Sequence, residues 1–218
     1  MPNVTRNVTP WMPSKQLPYY EVNGHRYPRV TSILSILRDP DLEKWQAEIG
    51  ETRAAAKRRH AERIGTMLDK LIKQEIEGKT VTLSAQGSSE VRQGWKAWQE
   101  YRRCYPGLLR LGTTLVHPTY RYGGTPDILS GNIVIDIKAT ARLREKFWIQ
   151  LHAYVPLLFL ESVWPLITLR VVRLDTFLGT CEVKDRPFDK QIWETFMHLK
   201  SVYCHWFQPQ EEAHVSAA

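Results

Sequence analysis

No stretch of the 218-residue sequence is apolar over anything near the roughly 20 residues needed to cross a bilayer, and the N-terminus lacks the basic-then-apolar layout of a secretory leader. These absences argue against a membrane-spanning role and predict a cytoplasmic protein. Cysteine is scarce and scattered. Cys104, Cys181 and Cys204 have no paired spacing, which suits a reducing compartment and provides no zinc or thiol-redox motif. Each is expected to be a small buried hydrophobe. Internal repeats and low-complexity tracts are also missing, so no repeat architecture competes. The Asn-x-Thr triplets at Asn3 and Asn7 would matter only in a secreted chain and are attributed to chance.

Apolar and cationic residues are plentiful. A hydrophobic fraction of 43% with eight tryptophans supplies enough surface for an unaided core, and the length suits one domain. Thirty Lys and Arg against 23 Asp and Glu give a net charge of +7 and a pI near 9.4. That balance favours polyanionic partners such as nucleic acid or an acidic membrane surface.

Met1 to Pro18, with four prolines, reads as an extended arm; residues 19–207 form the domain and 208–218 a flexible polar tail. Tyr19 to Tyr27 alternates around Asn23-Gly24, the pair best suited to a type I′ hairpin turn. A short helix is predicted from Thr31, capped by Thr31 or Ser32 and ended at Asp39-Pro40. Helices follow at Asp41–Ile49, Thr52–Glu77 (stopping at Gly78) and Ser88–Arg103. The long one is both basic (Arg53, Lys57, Arg58, Arg59, Arg63) and core-packed (Ile64, Met67, Leu68, Leu71, Ile72), and its arginines suit phosphate contacts or a solvated face.

Strands are predicted at Leu108–His117, Thr119–Leu129 and Asn132–Ala139, then a helix from Arg144 to about Ser162 kinked by Pro156. Strands at Leu166–Leu174 and Thr180–Lys184 and a helix at Asp189–Phe207 complete the chain. The order predicts an α/β fold, a central mixed β-sheet flanked by helices with a helical N-terminal part.

Chemistry concentrates in Gly123-Gly124-Thr125-Pro126-Asp127 and Ile133-Val134-Ile135-Asp136-Ile137-Lys138-Ala139. In a strand, side chains alternate, so the isoleucines share one face while Val134, Asp136 and Lys138 share the other. Two charges on such an apolar strand cost several kcal/mol per ion unless paired or met by a metal. A short antiparallel connection brings Asp127 beside Asp136, and a divalent cation is the natural relief for two facing carboxylates. The plain alternative is a buried ion pair. Lys146, Gln150 and Tyr154 recur at spacings of four and share one helix face, which suits either a cover for the site or a polar surface stripe.

Gly-Gly-Thr-Pro-Asp127, Asp136-Ile137-Lys138 and Gln150 with Tyr154, in that order, resemble the successive motifs of the PD-(D/E)XK nuclease superfamily, in its RecB-like and phage exonuclease branch. Tyr27-Pro28-Arg29-Val30-Thr31-Ser32-Ile33-Leu34 resembles that branch's early Tyr-Pro-Ser-Val-Thr-x-Ile-Leu segment. The resemblance implies a restriction-endonuclease-like core, Asp127, Asp136 and the Ile137 carbonyl as ligands of Mg²⁺ or Mn²⁺, Lys138 as a catalytic residue, and Gln150 and Tyr154 in support. Two positions depart from the pattern. Gly65-Thr66-Met67-Leu68-Asp69 has Asp69 where a histidine is usual, and this residue is either a further metal ligand or a partner for Lys73. Leu111 to Tyr122 lacks the acidic residue that often precedes the glycine pair. Three cysteines do not make the four-cysteine iron–sulfur cluster of a related group, so no cluster is expected.

The expected function is a metal-dependent DNA exonuclease of a bacterium or phage-infected host, acting in recombination or repair, with a recombination or repair protein as a candidate partner. Arg58, Arg59, Arg63 and Lys146 are candidate DNA contacts. The same core serves structure-specific and restriction-type endonucleases, and an impaired relative would bind nucleic acid without cutting it.

Overall fold

The computed structural model describes residues 18–83 and 88–207. The expected arm, apart from Pro18, and the expected tail lie outside them. The hairpin forms as predicted: β1 (Tyr19–Val22) pairs with β2 (His25–Pro28), and Asn23 and Gly24 take the positive φ values of 51° and 75° that a type I′ turn requires. Helix α1 is shorter than expected, Val30–Leu34, and neither Thr31 nor Ser32 caps it. Arg29 holds the cap position, and the Ser32 hydroxyl instead donates to the Pro18 carbonyl at 2.8 Å. Helix α2 (Pro40–Ile49) is capped by Asp39, which accepts from the Leu42 amide, with Pro40 at its first position. Helix α3 (Glu51–Ile76) runs up to Gly78, whose φ of 74° turns the chain away. Helix α4 (Ser89–Cys104) is capped by the Ser88 hydroxyl.

The region after α4 differs from expectation. Leu108–His117 divides into β3 (Arg110–Leu111) and β4 (Leu115–His117), and Thr119–Leu129 into β5 (Tyr122–Gly124) and β6 (Ile128–Ser130). The cause lies where the two segments cross. Gly112 passes so close to Pro126 that a Cβ there would stand 2.0 Å from the Pro126 carbonyl oxygen, and Pro126 has no amide to continue a ladder. The central sheet therefore has the order β3-β6-β7-β8-β9, while β4 and β5 pair separately. Strand β7 is Ile133–Lys138, β8 Thr168–Leu174 and β9 Cys181–Pro187. The β7–β8 pair is parallel, joined through α5 (Glu145–Leu158), and the sheet's other pairings are antiparallel. The mixed sheet expected from the element order is the one observed.

Helix α5 ends earlier than predicted. Pro156 lies two residues before its end, where its missing amide weakens the last turn, and a separate 3₁₀ turn follows at Glu161–Leu166. Helix α6 (Lys190–Phe207) closes the described chain.

Alternation along β7 sets the two layers. Val134 points into a core with Ile33 of α1, Leu151 and Val155 of α5 and Phe196 of α6. Ile135 points the other way, against Trp98 and Tyr101 of α4 and Ile72 of α3. Of the predicted α3 stripe, Ile64, Leu68 and Ile72 are buried, but Met67 is exposed. The cysteines are also less buried than expected, with Cys104 exposed and the other two half-buried. No helix among the described residues is long and apolar enough to cross a membrane.

Candidate active site

The β6–β7 hairpin builds the site. Its register pairs Ile128 with Ile135, so Asp127, one step before β6, comes to face Asp136. The tight connection depends on Gly131, at φ 58°. Asp127 is fixed across the hairpin, where its Oδ2 accepts the Ile137 amide at 2.9 Å. The two carboxyl groups come within hydrogen-bonding reach of each other.

Asp136 is fully buried. Lys138 Nζ lies 2.8 Å from each of its oxygens, and Gln150 Nε2 donates to Oδ1 at 3.1 Å. Oδ2 accepts no well-directed hydrogen bond despite the nearby ammonium. Burial pushes the Asp136 carboxyl up to about 7; Lys138 opposes the shift and the Asp127 charge adds to it. Burial likewise raises Asp127. At Lys138 burial works against the charged form, but Asp136 and Asp127 outweigh it, and the ammonium is held above its ordinary range.

Gln150 and Tyr154 take the places that the helical spacing predicts. Gln150 Nε2 also reaches the Tyr154 hydroxyl at 2.9 Å, so the tyrosine steadies the amide that touches Asp136. Burial, and after it the two carboxylates, keep Tyr154 protonated. The glycine pair provides the slot for these rings. A Cβ on Gly124 would lie 2.5 Å from the Tyr154 ring, and one on Gly123 would lie 2.7 Å from the Tyr20 ring. The pair thus serves packing rather than ligand approach.

The site opens into a cleft of about 360 Å³ lined by Thr66, Asp69, Asp127, Lys138, Thr140 and Leu174, among others. Asp69 is at the cleft but turned to Lys73, with a 2.8 Å ion pair. Among the described residues no three His, Cys, Asp or Glu side chains are grouped to hold a metal. The structure therefore brings Asp127 and Asp136 together and leaves Asp69 in the alternative role expected for it.

The candidate DNA contacts divide. Arg59 and Arg63 line an open groove of about 730 Å³ on α3, and Thr66 belongs both to this groove and to the cleft. Arg58 is instead bonded to Gln46 of α2 at 2.7 Å. Lys146 is half-buried; burial, and then the charge of Arg144, lower its ammonium. Sequence reading missed Arg144, held by Asp39 at 2.7 Å across more than 100 residues, and the Tyr20–Thr125–Thr114 hydroxyl chain beside the Gly-Gly loop. Neither has a local signal, because both depend on packing between distant segments.

The buried carboxylates fit a hard divalent cation. Two facing oxygen donors, one with an orphaned buried lone pair, suit Mg²⁺ or Mn²⁺, which take one or two protein carboxylates and leave other positions to water or phosphate oxygen.

No protein-family model matches the chain, and no curated protein does. Solved structures do. An alkaline exonuclease, LHK-Exo, from Laribacter hongkongensis is similar with a TM-score of 0.47 and 13% identity, covering 82% of this chain and 86% of that one. LHK-Exo in complex with dAMP gives 0.42 and 15%, over 65% and 77% of the two chains. A phage-related exonuclease from Haemophilus somnus 129PT gives 0.40 and 13%, over 84% and 94%. With TM-scores this low, the functional reading rests on the geometry of the site itself.

Proposed function

We propose that this protein is a divalent-metal-dependent deoxyribonuclease, an exonuclease acting on DNA ends. The observation that carries the reading is the facing pair Asp127 and Asp136, one fully buried with an oxygen that accepts no well-directed hydrogen bond, beside Lys138 at an open cleft. A structural ion pair does not need the second carboxylate.

Asp127 and Asp136 would hold Mg²⁺ or Mn²⁺, with the Ile137 carbonyl as the third ligand that the resemblance implies. When bound, such an ion lowers the pKa of a water and neutralises charge on a phosphate. Gln150 keeps the Asp136 oxygens aimed, and Tyr154 holds Gln150. Lys138, kept protonated by its acidic neighbours, places a fixed positive charge where the pentavalent phosphate gains negative charge. Arg59 and Arg63 on the groove that meets the cleft at Thr66 suit the approaching phosphate backbone. Action in recombination or repair, beside a partner protein, belongs to the same reading.

A second reading, a binder that no longer cuts, is favoured by one observation: among the described residues no third His, Cys, Asp or Glu side chain is grouped with Asp127 and Asp136 to hold a metal, Asp69 being turned to Lys73. The deciding experiment incubates the protein and its Lys138→Ala variant with end-labelled single-stranded, linear duplex and circular DNA in Mg²⁺, Mn²⁺ or EDTA. Metal-dependent loss of linear DNA that spares circles and vanishes in the variant is expected. Cut circles would make it an endonuclease, and intact substrates throughout would leave the binder.

A further inference from the structure

The most exposed large hydrophobic side chain among the described residues is Phe177, at 85%, and its neighbour Leu178 is 62% exposed. They sit on the turn between β8 and β9, which is held firmly. Asp175 Oδ1 accepts the amides of Phe177 and Leu178 at 2.9 and 2.8 Å. The Asp175 amide donates to the Thr180 carbonyl, and the Gly179 amide to the Asp175 carbonyl, both at 2.9 Å. Gly179, at φ 71°, lies against Gln93 and Lys96 of α4. Two apolar side chains are thus presented to solvent on a turn with little freedom left to lose, the preorganisation that favours binding.

The turn also adjoins the cleft. Strands β7 and β8 are parallel, so both finish at the same end of the sheet, and Leu174 lines the cleft with Asp127 and Lys138. Crevices outside the carboxyl ends of parallel strands are favoured ligand sites. Arg173 ties the turn to the opposite rim, its Nη1 donating to the Thr140 and Ala141 carbonyls at 3.5 and 3.4 Å and pairing with Asp175 at 3.2 Å. Phe177 follows Leu174 by three residues, so it stands no more than about 10 Å from a residue that lines the cleft.

We propose that Phe177, with Leu178, is a nucleobase-stacking site that holds a base of the DNA strand a few nucleotides from the bond being cut. The proposal rests on the nuclease reading above. Two adjacent side chains on a narrow turn offer the area of one base rather than the broad patch that a protein partner buries. Lys96 beneath the turn supplies positive charge near the phosphates of the same strand. Stacking of this kind needs no hydrogen bond to the base, so the site takes any of the four.

The test uses the full chain, Phe177→Ala and Phe177→Trp. Affinity is measured in EDTA for a labelled single-stranded oligonucleotide and for an abasic strand of the same length, with cleavage and sedimentation run in parallel. Phe177→Ala is expected to weaken binding of the normal strand by about 5- to 100-fold and to leave the abasic strand unchanged, while Phe177→Trp keeps wild-type affinity. Equal weakening of both strands, or none, in a protein that still cuts DNA would overturn the proposal alone. A changed sedimentation coefficient with unchanged DNA affinity would reassign the turn to a protein contact. A wild-type protein that neither binds nor cuts DNA would remove the nuclease reading together with this site.

Discussion

Two ion pairs stand on adjacent strands of the central sheet and face opposite sides of it. Arg170 of β8 meets Asp185 of β9 through two hydrogen bonds, at 2.8 and 2.6 Å, and lies over the Tyr105 ring at 4.4 Å. Asp185 is 40% exposed, so its charge stays partly in water. Asp136 of β7 has no such access. It is sealed, leaves one oxygen without a well-directed hydrogen bond, and faces a second carboxylate. The first pair has the satisfied geometry of a structural contact. The second keeps a cost that packing could have removed, and a cost of that kind retained at a cleft is the ground for the proposed catalytic role.

The sharpest way to break that comparison is at Lys138. Lys138→Ala is expected to lower metal-dependent DNA cleavage by about 100- to 1000-fold with the fold intact, as loss of one transition-state charge partner does elsewhere. A variant that cuts at the wild-type rate would put both pairs in the structural class.

Next in size is the response to pH and metal. The Asp136 carboxyl titrates near 7 in the folded chain and near 4 when unfolded. Between those values the native state holds a proton that the unfolded state has lost, so the metal-free protein loses stability as pH rises from about 4 to 7 and changes little beyond. Asp136→Asn should flatten that slope in urea titrations. At pH 8, Mn²⁺ at about 100 times its Kd should stabilise the wild type by roughly 2.7 kcal/mol and raise its Tm by several degrees. The Asn variant should show no such gain, and equal gains in both would place the ion elsewhere.

Much of this contrast could be read from the sequence. Strand alternation placed Asp136 and Lys138 on one face, and spacing by four placed Gln150 and Tyr154 together, because both follow from local backbone periodicity. The type I′ turn followed from Asn23-Gly24 in the same way. The division of Leu108–His117 did not, since it depends on Gly112 meeting Pro126, a contact between strands that no local pattern encodes. Asp69 stayed ambiguous because a lysine four residues on and a carboxylate across the cleft are equally compatible with helical spacing. Arg144 escaped altogether, its partner Asp39 being on another helix cap.

The packing that aims Asp136 gives a smaller effect. Gly124→Ala places a methyl group 2.5 Å from the Tyr154 ring and 3.1 Å from Val30. The ring must shift, at a cost of about 1–3 kcal/mol, and Gln150 shifts with it, so cleavage should fall along with stability. Thermal unfolding with cleavage assays checks both, and unchanged cleavage would show that Gln150 does not aim Asp136.

The smallest effect is expected at the other pair. Asp185→Ala alone should cost on the order of 1–2 kcal/mol, less than breaking a sealed pair because Asp185 is partly solvated. Replacing both partners by apolar residues, as in Arg170→Met with Asp185→Leu, should come back to within about 1 kcal/mol of wild type and leave cleavage untouched. The corresponding apolar replacement of Asp136 with Lys138 should also be tolerated by the fold, yet abolish cleavage. Chemical denaturation of the two double variants, read beside their activity, separates a pair that holds the sheet together from a pair that the sheet holds in place.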